Sequence, residues 1–371
     1  MAENEFDEYL KAKEPGMREK AYAWKTAIGL QKVDGLTPSA YLIQTAKRNI
    51  EGEITLAQSR ELVEGYYKTK QNRAADDSSR TAEADIVSQH ITEILSEDSF
   101  TFSVAELISI HRRLFTGVYK FAGQIRDYDI TKNEWVLKGD TVHYGAAYRL
   151  VDTLNFDISQ EREFSYVGLS EAEMIRHISR FVAGLWQIHA FGEGNTRTTG
   201  VFTIKYLRTL GFDVRNDVFA ENAWYFRNAL VRANYTNIPH GIEETTEYLE
   251  RFFENLLFGA HNELKNRYLL IGGWQDDDGE HHTSSHTSNH ASNPSFTMQL
   301  KRLLAALEGE MSRAELMKAI GLKSRVTFTD TYLAPALKLG IVELTQPGSP
   351  RSPTQRYRLT PAGSCFRTQI A

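Results

Sequence analysis

Nine consecutive residues, His189-Ala190-Phe191-Gly192-Glu193-Gly194-Asn195-Thr196-Arg197, bring together one imidazole, one carboxylate, one amide and one guanidinium. Gly192 and Gly194 allow backbone shapes that residues with a Cβ resist. Ahead of them Met174, Ile175, Ile178, Phe181, Val182, Leu185 and Ile188 recur at helical spacing, which predicts a helix that delivers His189 at its C-terminal end. A second helix is expected from about Asn195, with Val201, Ile204, Leu207 and Leu210 on its inner face. Helix, glycine-containing loop and helix leave free backbone N–H groups and the positive end of a helix dipole at one spot. Phosphate binds well there. The set suits a reaction that holds a polyphosphate and moves protons beside it.

The stretch resembles the Fic family signature, His-x-Phe-x-Asp/Glu-Gly-Asn-Gly-Arg-x-x-Arg. His189, Phe191, Glu193, Gly194, Asn195 and Arg197 match, while Thr196 stands where Gly is usual and Gly200 where a second Arg is usual. The resemblance implies a protein adenylyltransferase with ATP and Mg²⁺ as cofactors. His189 is expected to take the proton from a Ser, Thr or Tyr hydroxyl of a target protein as general base. The oxygen then attacks the α-phosphate in line and pyrophosphate leaves. Glu193 is expected to hold Mg²⁺. Phe191, Gly192, Gly194, Asn195, Thr196 and Arg197 are expected to line the phosphates. The missing second arginine bears on how the γ-phosphate is oriented. It gives footing to a reading from another class, a DNA-binding regulator or scaffold whose Fic-like domain senses nucleotide and catalyses weakly.

The elements that must position this loop are mostly helical. Ile86, Val87, Ile91, Ile94 and Leu95 predict one helix, and Leu107, Ile108, His111, Leu114 and Phe115 predict another, capped by Thr101 or Ser103. His111 reads as a packed or surface helix residue and not as a ligand. Val118-Tyr119-Lys120-Phe121-Ala122-Gly123-Gln124-Ile125-Arg126 resembles the Val-Tyr-x-Trp-Ala-Gly-x-x-Arg segment of Fic domains. Residues 125–144 alternate apolar and polar types about a Lys138-Gly139-Asp140 turn, which predicts a β-hairpin. In the family such a hairpin is a flap that pairs with the target, so Thr131, Lys132, Trp135 and Val136 are expected to dock it. Past the loop, 216–234 reads as a helix on which Asn222 and Tyr225 are expected, by the resemblance, to line the base pocket. Helical character is expected through 242–257 and to about Tyr268.

Residues 1–68 are expected to form a helical module with breaks at Pro15-Gly16 and 34–39, with Thr37 or Ser39 capping one helix and Thr55 the next. This module resembles the small antitoxins that inhibit some Fic proteins through a glutamate. Two stretches compete for that role, Leu30–Gly35 with Asp34, and Lys47–Gly52 with Glu51. In the family the glutamate pairs with the second motif arginine. With Gly200 in that place the carboxylate is expected to lack its partner, and the switch to be weakened or absent.

Residues 69–82 read as a polar linker into a domain of 69–271, and 272–294, rich in Ser, Thr, His and Asp, as a second linker. His281, His282, His286 and His290 there suit no standard metal spacing. Residues 295–371 predict three helices and two strands around TQPGSPRSPTQ, which resembles a winged helix-turn-helix. Eleven Lys and Arg against five Asp and Glu give this part +6, so the rest carries about −11 of the chain's −5. That asymmetry permits DNA contact through phosphates, with Lys323, Arg325 and Lys338 on the candidate recognition helix. The fold class expected is therefore mainly α, a Fic helical bundle with a β-hairpin flap and a C-terminal winged helix. The single Cys365 excludes an intrachain disulfide framework, and no apolar run is long enough to span a membrane. The acidic, polar N-terminus is unlike a secretory signal, so a cytoplasmic location is expected, and a homodimer is compatible with the sequence.

Overall fold

The structure, a computed structural model, describes residues 5–11, 14–70, 77–215, 217–272, 298–322, 328–333, 336–337, 341–346, 355–360, 364 and 367. The chain divides into two compact units, 1–291 and 292–371.

The first unit is helical. Its elements in order are α1 (Asp7–Leu10), α2 (Pro15–Gly29), α3 (Ala40–Ile50), α4 (Leu56–Lys70), α5 (Asp77–Leu95), α6 (Val104–Phe115), α7 (Leu150–Glu163), α8 (Glu171–Ile188), α9 (Asn195–Thr209), α10 (Val218–Arg232) and α11 (Glu247–Phe258). Pro15 opens α2 at the first helical position, where its missing N–H costs nothing. Ser39 and Ser103 cap α3 and α6 through their side chains, as the sequence predicts. Ser170 and Glu173 form a reciprocal capping box at the start of α8.

Helix α2 buries two faces. Ala21, Trp24 and Ile28 meet Leu42, Ile43, Ala46, Val63 and Tyr67 of α3 and α4 in a small outer core. Ala23 and Ala27 instead join the main core with Val87 and Ile91 of α5 and Val201, Phe202 and Phe226 of α9 and α10. The 3₁₀ turn Leu30–Asp34, which ends at Gly35 with φ +64°, continues that inner face. Helix α2 and the turn after it thus share a core with the loop that carries His189. Asp85 of α5, fully buried, fastens the module further by accepting from the Ser39 N–H (2.8 Å), the Ser39 hydroxyl (2.5 Å) and the Tyr67 hydroxyl (2.5 Å).

The structure corrects several expectations. Helix α4 extends to Lys70 and α5 starts at Asp77, so most of the polar stretch 69–82 lies in helix. Its polar residues read as a loop because an exposed helix face has the same composition; Ser79 and Arg80 are exposed on α5. Residues 125–144 form no β-ladder. They make an extended loop with one 3₁₀ turn, Trp135–Leu137, closed by the Glu134 N–H on Asp140 O (2.9 Å). Alternation fails because Glu134, Val136 and Leu137 are all buried, and Val136 O accepts from the Ile271 N–H (3.0 Å). Past Gly259 (φ +67°) the chain is irregular until a short 3₁₀ turn at Asn266–Leu269.

The second unit holds α12 (Met298–Ala306), β1 (Met311–Ser312), α13 (Arg313–Ile320), a helical turn at Thr329–Leu333, β2 (Val342–Leu344) and β3 (Arg356–Leu359). The sheet order is β1-β3-β2, antiparallel, with Met311 opposite Tyr357 and Val342 opposite Leu359. The two expected strands pair, and the two-residue β1 adds an edge too short for alternation to reveal. Leu303, Leu304, Leu307, Leu316, Ile320, Phe328 and Tyr357 fill its own core. Lys323, Arg325, Lys338, Cys365 and the four histidines of the second linker lie outside the described residues.

At Gly29, α2 lies directly against the backbone of α10. A Cβ there would lie 2.3 Å from Ala220 O and 2.4 Å from Ala220 Cα. Backbone cannot yield as a side chain does, so Gly29→Ala is expected to destabilise the chain by about 1–3 kcal/mol. Gly16→Ala, with open space around it, should leave stability unchanged or raise it. Urea unfolding of both variants checks the pair; equal midpoints would contradict the packing described.

Candidate functional site

His189 ends α8 in the left-handed region, φ +51° and ψ +55°, which costs a non-glycine residue about 1–2 kcal/mol. Hydrogen bonds hold it there. Its N–H donates to Trp186 O (3.0 Å) and its carbonyl accepts from Arg126 Nε (2.8 Å). The Arg126 guanidinium, its side chain wholly enclosed, also donates to the carbonyls of Tyr128, Gly145 and Ile188. A cation at the C-terminal end of α8 also complements the helix dipole.

The imidazole of His189 is 3% exposed. Its ring lies 4.2 Å from the Tyr144 ring and edge-on to Trp186 at 5.3 Å. Neither ring nitrogen has a protein hydrogen-bond partner. Burial, with Lys132, Arg126 and Arg227 nearby, holds its pKa well below the ordinary histidine value. The ring is therefore neutral at pH 7 and able to accept a proton. Behind it runs a buried chain: Tyr144 OH donates to Glu134 Oε1 (2.9 Å), and Arg227 binds both Glu134 oxygens (2.7 and 3.1 Å).

The loop is closed by its own amide. Asn195 Nδ2 donates to Phe191 O (2.7 Å) and the Phe191 N–H donates to Asn195 Oδ1 (2.9 Å). Gly194, at φ +76°, could not carry a Cβ, which would meet Phe115 at 2.2 Å. At Gly192 a Cβ would meet the Tyr128 hydroxyl at 2.6 Å. Phe191 stacks on His111, with centroids 3.8 Å apart. His111 Nε2–H donates to Glu193 O (3.0 Å) while its Nδ1 accepts from the Gly123 N–H (2.8 Å). Of the two places the sequence leaves open, His111 takes the packed one, and it also anchors the loop. No side chain caps α9, so its first N–H groups remain at the loop.

Thr196 turns its hydroxyl to the core, where it accepts from Trp186 Nε1 (2.9 Å). Glu193 pairs with Lys132 Nζ at 3.1 Å, both about a quarter exposed. Among the described residues no three His, Cys, Asp or Glu side chains converge as a metal-ligand set. One carboxylate at a loop mouth still fits Mg²⁺, which takes one or two carboxylates and completes its shell with phosphate oxygens and water.

Arg197 departs most from the expected picture. Its guanidinium is 1% exposed and bound on every side. Nε meets Asp34 Oδ2 at 2.7 Å and Nη2 meets Glu83 Oε1 at 2.7 Å. Nη1 donates to Gln31 Oε1 (3.1 Å), Nη2 to Tyr119 OH (3.3 Å), and Phe115 lies 4.8 Å beneath. The expectation that Asp34 lacks a partner is therefore overturned: it pairs with the first motif arginine. Leu30 Cδ2 lies 3.3 Å from where a Cβ of residue 200 would be, so the turn before Asp34 packs against the missing second arginine's position. Glu51 is elsewhere, exposed and bonded to Tyr9.

Tyr225 and Asn222 do not join the loop. Tyr225 is buried and donates to Tyr248 O (3.2 Å), and Asn222, at a kink in α10, donates to Val218 O (3.2 Å). Of the expected docking residues, Val136 is core, Lys132 faces Glu193, Thr131 is half-buried and Trp135 is 46% exposed beside Trp224. Glu83, Glu134, Tyr144 and Arg227 carry no sequence signal, because they reach the site from three elements far apart in the chain: α5, the 125–144 loop and α10.

The Fic/DOC family matches residues 101–207, which span α6 through the loop and most of α9. The chain carries a Fic domain. Residues 298–360 match the C-terminal domain of Fic-like, filamentation-induced-by-cAMP proteins. The protein adenylyltransferase VbhT of Bartonella schoenbuchensis is 26% identical over 113 residues, 30% of this chain and 22% of that relative's length. A Fic family protein from Desulfovibrio desulfuricans G20 is 18% identical over 97% of this chain and 94% of its own, with a TM-score of 0.43. The N-terminal Fic domain of a Bartonella quintana effector, solved with bound ADP, is 20% identical over 48% of this chain and 85% of its own, TM-score 0.39.

Burial pushes the His111 pKa down to about 4, against an ordinary value of 6.5. Between those values the unfolded chain binds the proton and the Fic domain does not, so stability rises with pH. Acidification through that window costs up to about 3 kcal/mol from this residue. His111→Gln keeps reach toward Glu193 O without a titrating ring. It should be less stable at pH 7 and lose less between pH 6.5 and 4.5 than the wild type. Urea titrations across that range check this; parallel losses would contradict it.

Proposed function

We propose that the Fic domain transfers AMP from ATP to a hydroxyl side chain of a target protein. The observation that carries this is a neutral, unpartnered imidazole held at a loop whose N–H groups open α9. His189 accepts the hydroxyl proton. The target oxygen bonds to the α-phosphorus as the bond to the bridging oxygen breaks and pyrophosphate leaves. The loop and the start of α9 bind phosphate oxygens. Glu193 would hold Mg²⁺, which neutralises phosphate charge when bound. The strained backbone at His189, strapped by Arg126, fixes the ring's direction before substrate arrives.

The N-terminal module restrains this site. Arg197, the motif side chain suited to phosphate, is occupied by Asp34 and Glu83. The site is built but its guanidinium is withheld until the contact with Asp34 opens. In the second unit, the net positive charge and the three-stranded sheet beside α12 and α13 support a winged helix that meets DNA or a partner protein.

Purified protein incubated with Mg²⁺ and ATP, labelled separately at the α- and γ-phosphate, tests the reading. Label on protein is expected from the α-position only, and at least a hundredfold less in His189→Ala. Label from the γ-position alone would replace AMP transfer by phosphoryl transfer. ATP bound with no label on any protein would favour a nucleotide-sensing domain, which the internal pairing of Arg197 and Glu193 also suits.

A further inference from the structure

Four cations stand at or near the loop, and three are spent inside the protein. Arg126 is enclosed and bonded to backbone carbonyls. Arg227 is taken by Glu134, and Arg197 by Asp34 and Glu83. Helix α9 offers no second guanidinium, because residue 200 is glycine and Leu30 lies against it. A polyphosphate with three to four negative charges would otherwise find a quarter-exposed carboxylate and few available counter-charges.

Lys132 differs from the other three. Its ammonium lies 3.1 Å from Glu193 Oε2, with 26% of the lysine side chain and 24% of the glutamate side chain exposed. Its backbone N–H is tied to Thr141 Oγ1 (3.3 Å), so the stem starts from a fixed point while the head faces the loop. Water reaches a quarter of each side chain and screens the pair, so its loss is offset when a more highly charged phosphate takes the carboxylate's place. An ammonium has three rotatable donors on a flexible four-carbon stem and serves as a point charge for phosphate.

We propose that Lys132 is a phosphate-binding cation of this site, available while Arg197 is held by Asp34, leaving Glu193 for the terminal phosphates of ATP when the nucleotide enters. It supplies from the 125–146 loop the charge that α9 lacks at position 200. The exchange also frees Glu193, the carboxylate suited to a divalent cation, so one movement readies both charges. Lys132 therefore belongs to nucleotide binding, beyond the target-docking part expected from sequence. This inference rests on the nucleotide-binding part of the proposed function and not on the transfer step.

Isothermal titration of the full chain with ATP, with and without Mg²⁺, tests it. Lys132→Met should weaken ATP binding at least tenfold in both conditions, and Lys132→Arg should stay within threefold of the wild type. Lys132→Gln serves if the methionine variant melts at lower temperature. ATP binding unchanged in Lys132→Met and Lys132→Gln would overturn the inference and leave the proposed function standing. A wild-type chain that binds no ATP at millimolar concentration would overturn both. Lysine-dependent binding with no AMP transfer would keep the inference and remove the transfer reading.

Discussion

An arginine side chain buried at the centre of a helical domain has to be paired, because an uncompensated charge there costs several kcal/mol. Arg197 meets that requirement by drawing four segments together. Asp34 and Gln31 come from the turn after α2, Glu83 from α5, Tyr119 from the segment after α6, and the arginine itself from α9. The start of α9 is thereby tied to the N-terminal module through Asp34 and Gln31. The two carboxylates are not equivalent. Asp34 is 31% exposed and Glu83 18%, so the first is the easier to release and the second remains as counter-ion.

The other half of the site is organised by exclusion of water. His189 sits between Tyr144 and Trp186 with positive groups around it, which keeps the ring unprotonated. The Arg126 bonds that hold its backbone also fasten the 125–146 loop to the end of α8. One residue therefore positions both His189 and the loop that bears Lys132. The His111 bond to Glu193 O fixes the far side of the loop in the same way, from α6. The geometry of the loop is set by side chains bonding to backbone carbonyls more than by contacts between the motif side chains themselves.

Much of this was legible in sequence. Apolar spacing in 174–188 and 201–210 gave both helices that flank the loop, and serine caps gave the starts of α3 and α6. The motif located the imidazole and the loop. What periodicity could not give was partnership. Asp34 was read as stranded because its expected partner is glycine, yet a guanidinium three residues earlier, Arg197, is within its reach. The 125–144 loop alternates like a hairpin, but Glu134 is drawn inside by Arg227, and a buried charge pair outweighs a local β preference. Tyr225 has the spacing of a pocket residue and the environment of a core one.

The central claim is that the N-terminal module withholds Arg197 from the phosphates of a working transferase. The most direct measurement is the initial rate of α-label incorporation by Asp34→Gly beside the wild type, with Glu51→Gly as a control remote from the loop. The account predicts a rise of about tenfold or more in Asp34→Gly and none in Glu51→Gly, consistent with an effector coupling of about 1–3 kcal/mol. An unchanged or lower rate in a folded Asp34→Gly chain would contradict it.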